Sequence, residues 1–378
     1  MVDPVNVFEA WDPLAEESDP GMLVAAQRRE IRNILKSYTG YYDMFAELIQ
    51  NALDAVENRF GEGDLNYRPG IWLRINIIEG EVSVTDNGCG MDEHQFRQFL
   101  RPNYSFKYGS VNRGSKGVGA TYLAYGFNHL EVATKHGGKV RSGIIKRGRE
   151  WVEDRIESIQ RPKVESTTAS HLIFREIDRG TSMVVRLSGQ SIRPRDLSWI
   201  GATNAQQWLA ILRTTTPLGG VYLCGAKPTP VEIKLEVIDT NGEVTTDQIS
   251  APRYLYPNEA VSRTADIREY LASQRARMTR GLDVTKIPPK FMKLYGIWGE
   301  WSGEEILTQS EDTPIRARLE DGERALVTEL GLTLRIFLAF STDLWDEYND
   351  NILGLRKGHR ILRGASNSAP GTCHKASL

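Results

Sequence analysis

The stretch Glu47-Leu48-Ile49-Gln50-Asn51-Ala52-Leu53-Asp54 constrains this chain more than any other. As a helix it sets a carboxylate, a carboxamide and a second carboxylate at i, i+4 and i+7, so Glu47, Asn51 and Asp54 share one face. Carboxylates at helical spacing ordinarily mark a solvated surface. Here Leu48, Ile49, Ala52 and Leu53 lie between them, and Phe45, Leu48, Ala52 and Ala55 can bury the opposite side. The helix must therefore pack on one side and present polar groups on the other.

The surrounding pattern supplies the other elements. Met22–Tyr38 carries Leu23, Ala26, Ile31, Ile34 and Leu35 at helical spacing, and a second helix is predicted over Tyr41–Arg59, broken by Gly61-Glu-Gly63. Ile71–Ile78 alternates as a strand, Glu79-Gly80-Glu81 turns, and Val82–Thr85 delivers Asp86 into Asn87-Gly88-Cys89-Gly90-Met91. From Asp92 to Gly119 the sequence reads as irregular, polar and glycine-rich, and a loop of that length in a compact domain is usually functional. Val118–Phe127 reads as helix. Strands are expected near Leu130–Thr134, Lys139–Lys146, Glu150–Ile156, His171–Glu176 and Thr181–Leu187. Helices followed by a run of strands predict an α+β fold, with helices on one face of a mixed sheet.

At 378 residues the chain has room for two cores. The expected division is an arm at 1–21, which either straps onto a neighbouring subunit or frays; a domain at 22–190; a linker and connecting helix at 191–216; a smaller α/β unit at 217–363; and an unstructured tail at 364–378. The second unit is marked by Val231–Ile238 with a turn at Asn241-Gly242, a strand at Leu332–Phe340, and a hairpin around Arg356-Lys357-Gly358-His359. A net charge of −2 gives no bulk argument for a nucleic-acid or membrane partner. Cys89, Cys224 and Cys373 lack metal-type spacing and suggest reduced thiols in the cytoplasm. The acidic first residues lack the layout of a secretory signal, and no apolar run reaches the roughly 20 residues of a spanning helix. A cytoplasmic protein with no membrane partner is expected.

Four segments carry chemistry. Asn51 offers a neutral oxygen suited to Mg²⁺, an ion that keeps several waters and needs few protein ligands. Glu47 can take a proton from an attacking water, and Asp54, a turn further, buttresses the site or meets the base through water. An ionised Asp86 can accept from the exocyclic amine of adenine, while Gly88 and Gly90 allow close backbone approach to a flat ring. A plain strand-to-turn Asp-Asn-Gly is the alternative; a calcium loop fails for want of the ligand spacing and closing glutamate. Gly114-Ser115-Lys116-Gly117-Val118-Gly119 opens a helix, and its backbone N–H groups make an anion nest to which Lys116 adds a cation. A dinucleotide loop needs a preceding core strand that this segment lacks. Thr181, after Asp178-Arg-Gly180, can supply a hydroxyl beside Asp86. No Walker loop occurs.

Four such motifs in this order resemble the GHKL ATPases, the superfamily of gyrase B subunits, MutL mismatch-repair proteins, ninety-kilodalton heat-shock chaperones, MORC proteins and sensor histidine kinases. The resemblance covers roughly residues 22–190. It implies an α/β sandwich with a left-handed crossover, ATP held between helices and sheet, and a mobile lid. It further implies that Glu47 activates water, that Asn51 binds Mg²⁺, that Asp86 and Thr181 read adenine within a motif running through Gly88, Gly90 and Met91, and that Gly114–Gly119 covers the phosphates.

All six histidines follow the Glu47 helix, which disfavours a sensor kinase with its phospho-accepting histidine ahead of the ATP domain. The other branches add a second α/β domain whose basic residue reaches the γ-phosphate, and Lys357 is the candidate, followed by Arg356 and Arg360. They imply a homodimer closed by ATP. Basic clusters at Arg275/Arg277/Arg280, at Lys286/Lys290/Lys293 and at 356–363, with Phe291 and Tyr295 among them, suggest DNA as the object of the ATPase, in repair, MORC-like compaction or phage defence. A chaperone-like ATPase with a protein partner is the second reading, and a nucleotide-binding regulatory module without turnover is the third.

Overall fold

The computed structural model describes residues 20–102, 118–156, 158–168, 172–220, 229–255, 263–294, 296–308, 320–329, 331 and 333–339, with only the backbone at 20–23 and 333–339. The arm up to residue 19, Gly114–Gly117, Tyr295, the hairpin around Lys357 and the tail at 364–378 lie outside the described residues.

The elements of the larger unit run in chain order α1 (Pro20–Ser37), α2 (Asp43–Gly61), β1 (Gly70–Asn76), β2 (Glu81–Asp86), α3 (Glu93–Gln98), α4 (Gly119–Tyr125), β3 (His129–His136), β4 (Lys139–Lys146), α5 (Gly148–Glu153), β5 (Val164–Ser166), α6 (Leu172–Glu176), β6 (Gly180–Arg186), α7 (Ala205–Thr215), β7 (Glu232–Ile238) and β8 (Val244–Ile249). The strands form one eight-stranded mixed sheet in the order β5-β4-β3-β6-β2-β1-β7-β8. Every pairing is antiparallel except β1 with β7.

The period-2 alternation of the strands separates the two faces of the sheet. Ile71, Leu73 and Ile75 of β1, Val82 and Val84 of β2, and Ile233, Leu235 and Val237 of β7 are buried in one core with Phe45, Leu48, Leu53 and Val56 of α2. Trp72 faces the other way, against Ala133, Phe174 and Ile177. On that second face Arg74 pairs with Glu236 at 2.8 Å and Glu81 at 3.4 Å, and Arg186 with Glu81 at 2.8 Å.

Three expectations are corrected. The break placed at 191–216 is no break: α7 packs in the first core, with Trp208 fully buried and its ring 5.5 Å from that of Phe45, and β7–β8 extend the first sheet past β1. Alternation marks Val231–Ile238 as a half-buried strand but says nothing about which sheet takes it. The strands expected at Glu150–Ile156 and His171–Glu176 are the helices α5 and α6, because apolar runs this short do not reveal their period. The irregular stretch from Asp92 contains α3, started by a reciprocal capping box: Asp92 accepts from the Gln95 N–H at 2.7 Å, and the Gln95 side chain accepts from the Asp92 N–H at 3.0 Å.

A separate smaller sheet begins only near residue 263. β9 (Thr264–Asp266) pairs in parallel with β10 (Gly296–Ser302), and β10 is antiparallel to β11 (Thr333–Ala339). α8 (Ile267–Thr279) contributes Ile267 to a small core with Ile297 and Trp301, and α9 (Gly303–Thr308) and α10 (Asp321–Glu329) follow β10. Phe291 is 1% exposed and packs edge-on to Tyr270, so this aromatic belongs to the interior and not to a displayed basic surface.

Trp208→Ala tests the single-core assignment. Removing a fully buried indole costs about 3–5 kcal/mol. Chemical denaturation followed by nucleotide-site probes should show the whole larger unit weakened by that amount; an unchanged midpoint would separate α7 from this core.

Candidate active site

α2 is the rail of the site. Its apolar residues Phe45, Leu48, Ile49, Ala52, Leu53 and Val56 are buried. Helical geometry then leaves Glu47 and Asn51 half-buried on the flank, while Asp54 is 2% exposed. Two loops meet this rail eight positions apart. The start of α4 meets it at Glu47, where a β-carbon on Gly119 would collide with the carboxylate. The loop after β2 meets it at Ala55, where Cys89 N–H donates to the Ala55 carbonyl at 3.2 Å. Along a helix these two points are about 12 Å apart, with Asn51 midway.

At the Ala55 end, strand register aligns Asp86 with Thr181 of β6, and Thr181 with Thr134 of β3. Directly opposed residues share a face, so the carboxylate and both hydroxyls line one row. Asp86 is 5% exposed. Its carboxylate accepts from the Gly88 N–H at 2.8 Å and from the Thr181 backbone N–H. Burial pushes its pKa up to about 7 against the pull of these two donors, and no cation pairs with it among the described residues. Thr134 Oγ1 accepts from the Met91 N–H at 2.8 Å and lies 3.4 Å from Thr181 Oγ1.

The space beside Gly88 is filled by the Ala55 backbone, and that beside Gly90 (φ +62°) by the Lys135 carbonyl. Both glycines are thus required by contact with the protein itself. The Asn87 side chain accepts from Tyr67 and Gly70 and donates to the Arg68 carbonyl at 2.8 Å. Two arginines hold the loop from outside. Arg59 donates to the Asn87 carbonyl at 2.8 Å and grips Asp178, and Arg179 donates to the Cys89 carbonyl at 2.7 Å and grips Glu62. These contacts hold the Asp178 and Glu62 carboxyls below their usual range.

At the Glu47 end, the Tyr38 hydroxyl donates to Glu47 Oε1 at 3.0 Å. The Tyr38 ring stacks on Tyr122 of α4, with centroids 4.0 Å apart and planes within 4°. Of the residues expected at the site, Glu47, Asn51, Asp54, Asp86, Gly88, Gly90, Met91, Val118, Gly119 and Thr181 are described; they lie on α2, at the paired ends of β2 and β6, and on the segments after β2 and before α4. Gly114, Ser115, Lys116, Gly117 and Lys357 lie outside the described residues. Tyr38, Thr134, Arg59 and Arg179 escape sequence reasoning. They reach the site across a turn or from separate strands, and no spacing rule links them to it.

Residues 37–191 match the family model of the histidine kinase-, DNA gyrase B-, and HSP90-like ATPases. This segment is a GHKL ATPase domain. No curated protein matches the chain. Domains of this family bind ATP with Mg²⁺, and the residues of this GHKL domain fit such a ligand: a buried carboxylate with unfilled acceptor capacity at one end of α2 and a half-buried carboxamide at its middle. Among the described residues no group of three His, Cys, Asp or Glu side chains could hold a metal ion alone. The matched segment stops at 191, short of α7, β7 and β8, which complete the domain's sheet. No described helix is long and apolar enough to cross a membrane.

The raised Asp86 pKa gives a signed pH dependence. Between an unfolded pKa near 3.8 and the folded value of about 7, the folded state holds a proton that the unfolded chain has lost. This group's contribution to stability is complete below pH 4 and is lost as pH rises through 7. Thermal melting from pH 4.5 to 8 should show that decline in the wild type and a flatter profile in Asp86→Asn.

Proposed function

We propose that this chain is a Mg²⁺-dependent ATP hydrolase. The observation that carries the reading is the order of groups along α2. Asp86 and Thr181 meet its Ala55 end, Asn51 lies midway, and Glu47 stands at the far end beside Gly119. That is the order of adenine, metal-bound phosphates and terminal phosphate in one extended nucleotide.

Asp86, when ionised, accepts from the adenine amine, and Thr181 adds a hydroxyl in the same row. Binding therefore selects the deprotonated carboxylate, and adenine-nucleotide affinity falls as pH drops below 7. Asn51 would hold the metal through its carboxamide oxygen. Mg²⁺, when bound, neutralises phosphate charge and leaves the terminal phosphorus open to attack. Glu47 takes the proton of a water whose oxygen bonds to that phosphorus. The bond to the β–γ bridging oxygen breaks, and ADP leaves with the electron pair. Asp54, buried a turn beyond Asn51, supports the rail.

The family plan makes Gly114–Gly119 a lid over the phosphates, with Lys116 adding a cation, and has Lys357 contact the γ-phosphate from beyond the domain. Closure of that lid by ATP drives homodimerisation, since a ligand that binds the closed state better shifts the population toward it. Glu47→Ala should bind ATP while losing roughly 10²–10⁴-fold in phosphate release, and should sediment as a dimer with saturating ATP and Mg²⁺. Undiminished phosphate release would remove Glu47 as the base, and a monomer would remove ATP-driven dimerisation.

DNA is the proposed object of the cycle. Arg275, Arg280, Lys286, Lys290 and Lys293 are exposed on α8 and the turn after it, although Glu269 pairs with Lys290 at 2.7 Å. Binding to duplex DNA should weaken steeply from 50 to 200 mM salt. Absence of DNA binding together with suppressed aggregation of a denatured client protein would favour the chaperone reading.

A further inference from the structure

We propose that Tyr38 is a positioning residue for the water-activating carboxylate of Glu47, a reading that rests on the hydrolase assignment above. Of the two oxygens of Glu47, Oε1 accepts the Tyr38 hydroxyl at 3.0 Å, while Oε2 faces the space that Gly119 leaves by lacking a β-carbon. A glutamate has three rotatable side-chain bonds and samples many rotamers when unheld. A donor to one oxygen restrains the plane of the carboxylate and leaves the other oxygen against Gly119, at the start of α4.

Tyr38 is itself held in place. Its ring lies flat on Tyr122, which is 5% exposed and set in α4, the element whose first residue is Gly119. The turn that carries it into α2 is closed by the Gly40 N–H donating to Asp43 Oδ2 at 2.6 Å. Arg193, from the segment between β6 and α7, donates to the Thr39 carbonyl at 2.8 Å and covers the Tyr41 ring. Tyr41 and Tyr42 both pack against Trp199 of that same segment. The phenol ring is thus held against α4, and the turn that follows Tyr38 is held by the β6–α7 connection. Burial, followed by the charge of Glu47, pushes the Tyr38 phenol well above its ordinary pKa, so it remains a protonated donor throughout the working range. A donor anchored in this way costs no ordering when water arrives, which is the benefit of a prearranged base.

The test is Tyr38→Phe, which keeps the stacked ring and removes only the hydroxyl. ATP affinity, measured by calorimetry, should stay within about twofold, while kcat for phosphate release falls roughly 10- to 100-fold, the range for one lost hydrogen bond to a charged group. Glu47→Ala is run beside it. If Glu47→Ala abolishes turnover and Tyr38→Phe keeps the wild-type kcat, the positioning role is overturned and the hydrolase reading stands. If Tyr38→Phe loses ATP binding along with rate, or fails to fold, the residue is structural and the proposal falls. If Glu47→Ala keeps the wild-type rate, it is the hydrolase reading that fails.

Discussion

The structure depends on one two-sided helix. Phe45, Leu48, Ile49, Ala52, Leu53 and Val56 fasten α2 to the sheet and to α7. Fully burying a large apolar side chain contributes about 1.5–3 kcal/mol, so several of them on one helix fix its rotation firmly. Once that rotation is fixed, Glu47 and Asn51 have nowhere to go but the flank that meets α4 and the β2 loop. The positions that fit against this rail are tightly specified. Gly88 must lack a β-carbon because Ala55 fills its place, and Gly119 must lack one because Glu47 does.

Asp86 shows the opposite balance. Among the described residues nothing compensates the burial of its charge beyond two backbone N–H groups, and its pKa rises accordingly. A carboxylate kept for stability would have been given a cation, as Asp178 and Glu62 have been with Arg59 and Arg179. Those arginines spend their charge on the loop beside it, tying the segment after β2 to the end of α2. A rigid loop around an under-satisfied acceptor is the arrangement expected where a ligand supplies the missing donor.

The segment after β6 closes the domain. It returns to brace the turn ahead of α2 through Arg193 and Trp199, then forms α7 behind α2 and feeds β7 into the sheet beside β1. The domain is therefore larger than its family segment, and the smaller sheet of β9, β10 and β11 starts only after this closure.

Local sequence determined the periodic and the punctuated features. The apolar face of α2, the strand that delivers Asp86 and the glycines after it all follow from rules spanning a few residues, as does the polar set Glu47, Asn51 and Asp54. Tertiary structure decided which elements share a layer. Short runs such as Trp151-Val152 and Leu172-Ile173-Phe174 took their helical form from packing, and β7 took its sheet from the free edge of β1. It also decided the contacts that complete the site: Thr134 beside Thr181, Arg59 on Asn87, Tyr38 on Glu47. Side chains on separate strands or across a turn meet only after the chain has closed over distances that no local spacing encodes, and there hydrogen-bond geometry, not periodicity, selects the partner.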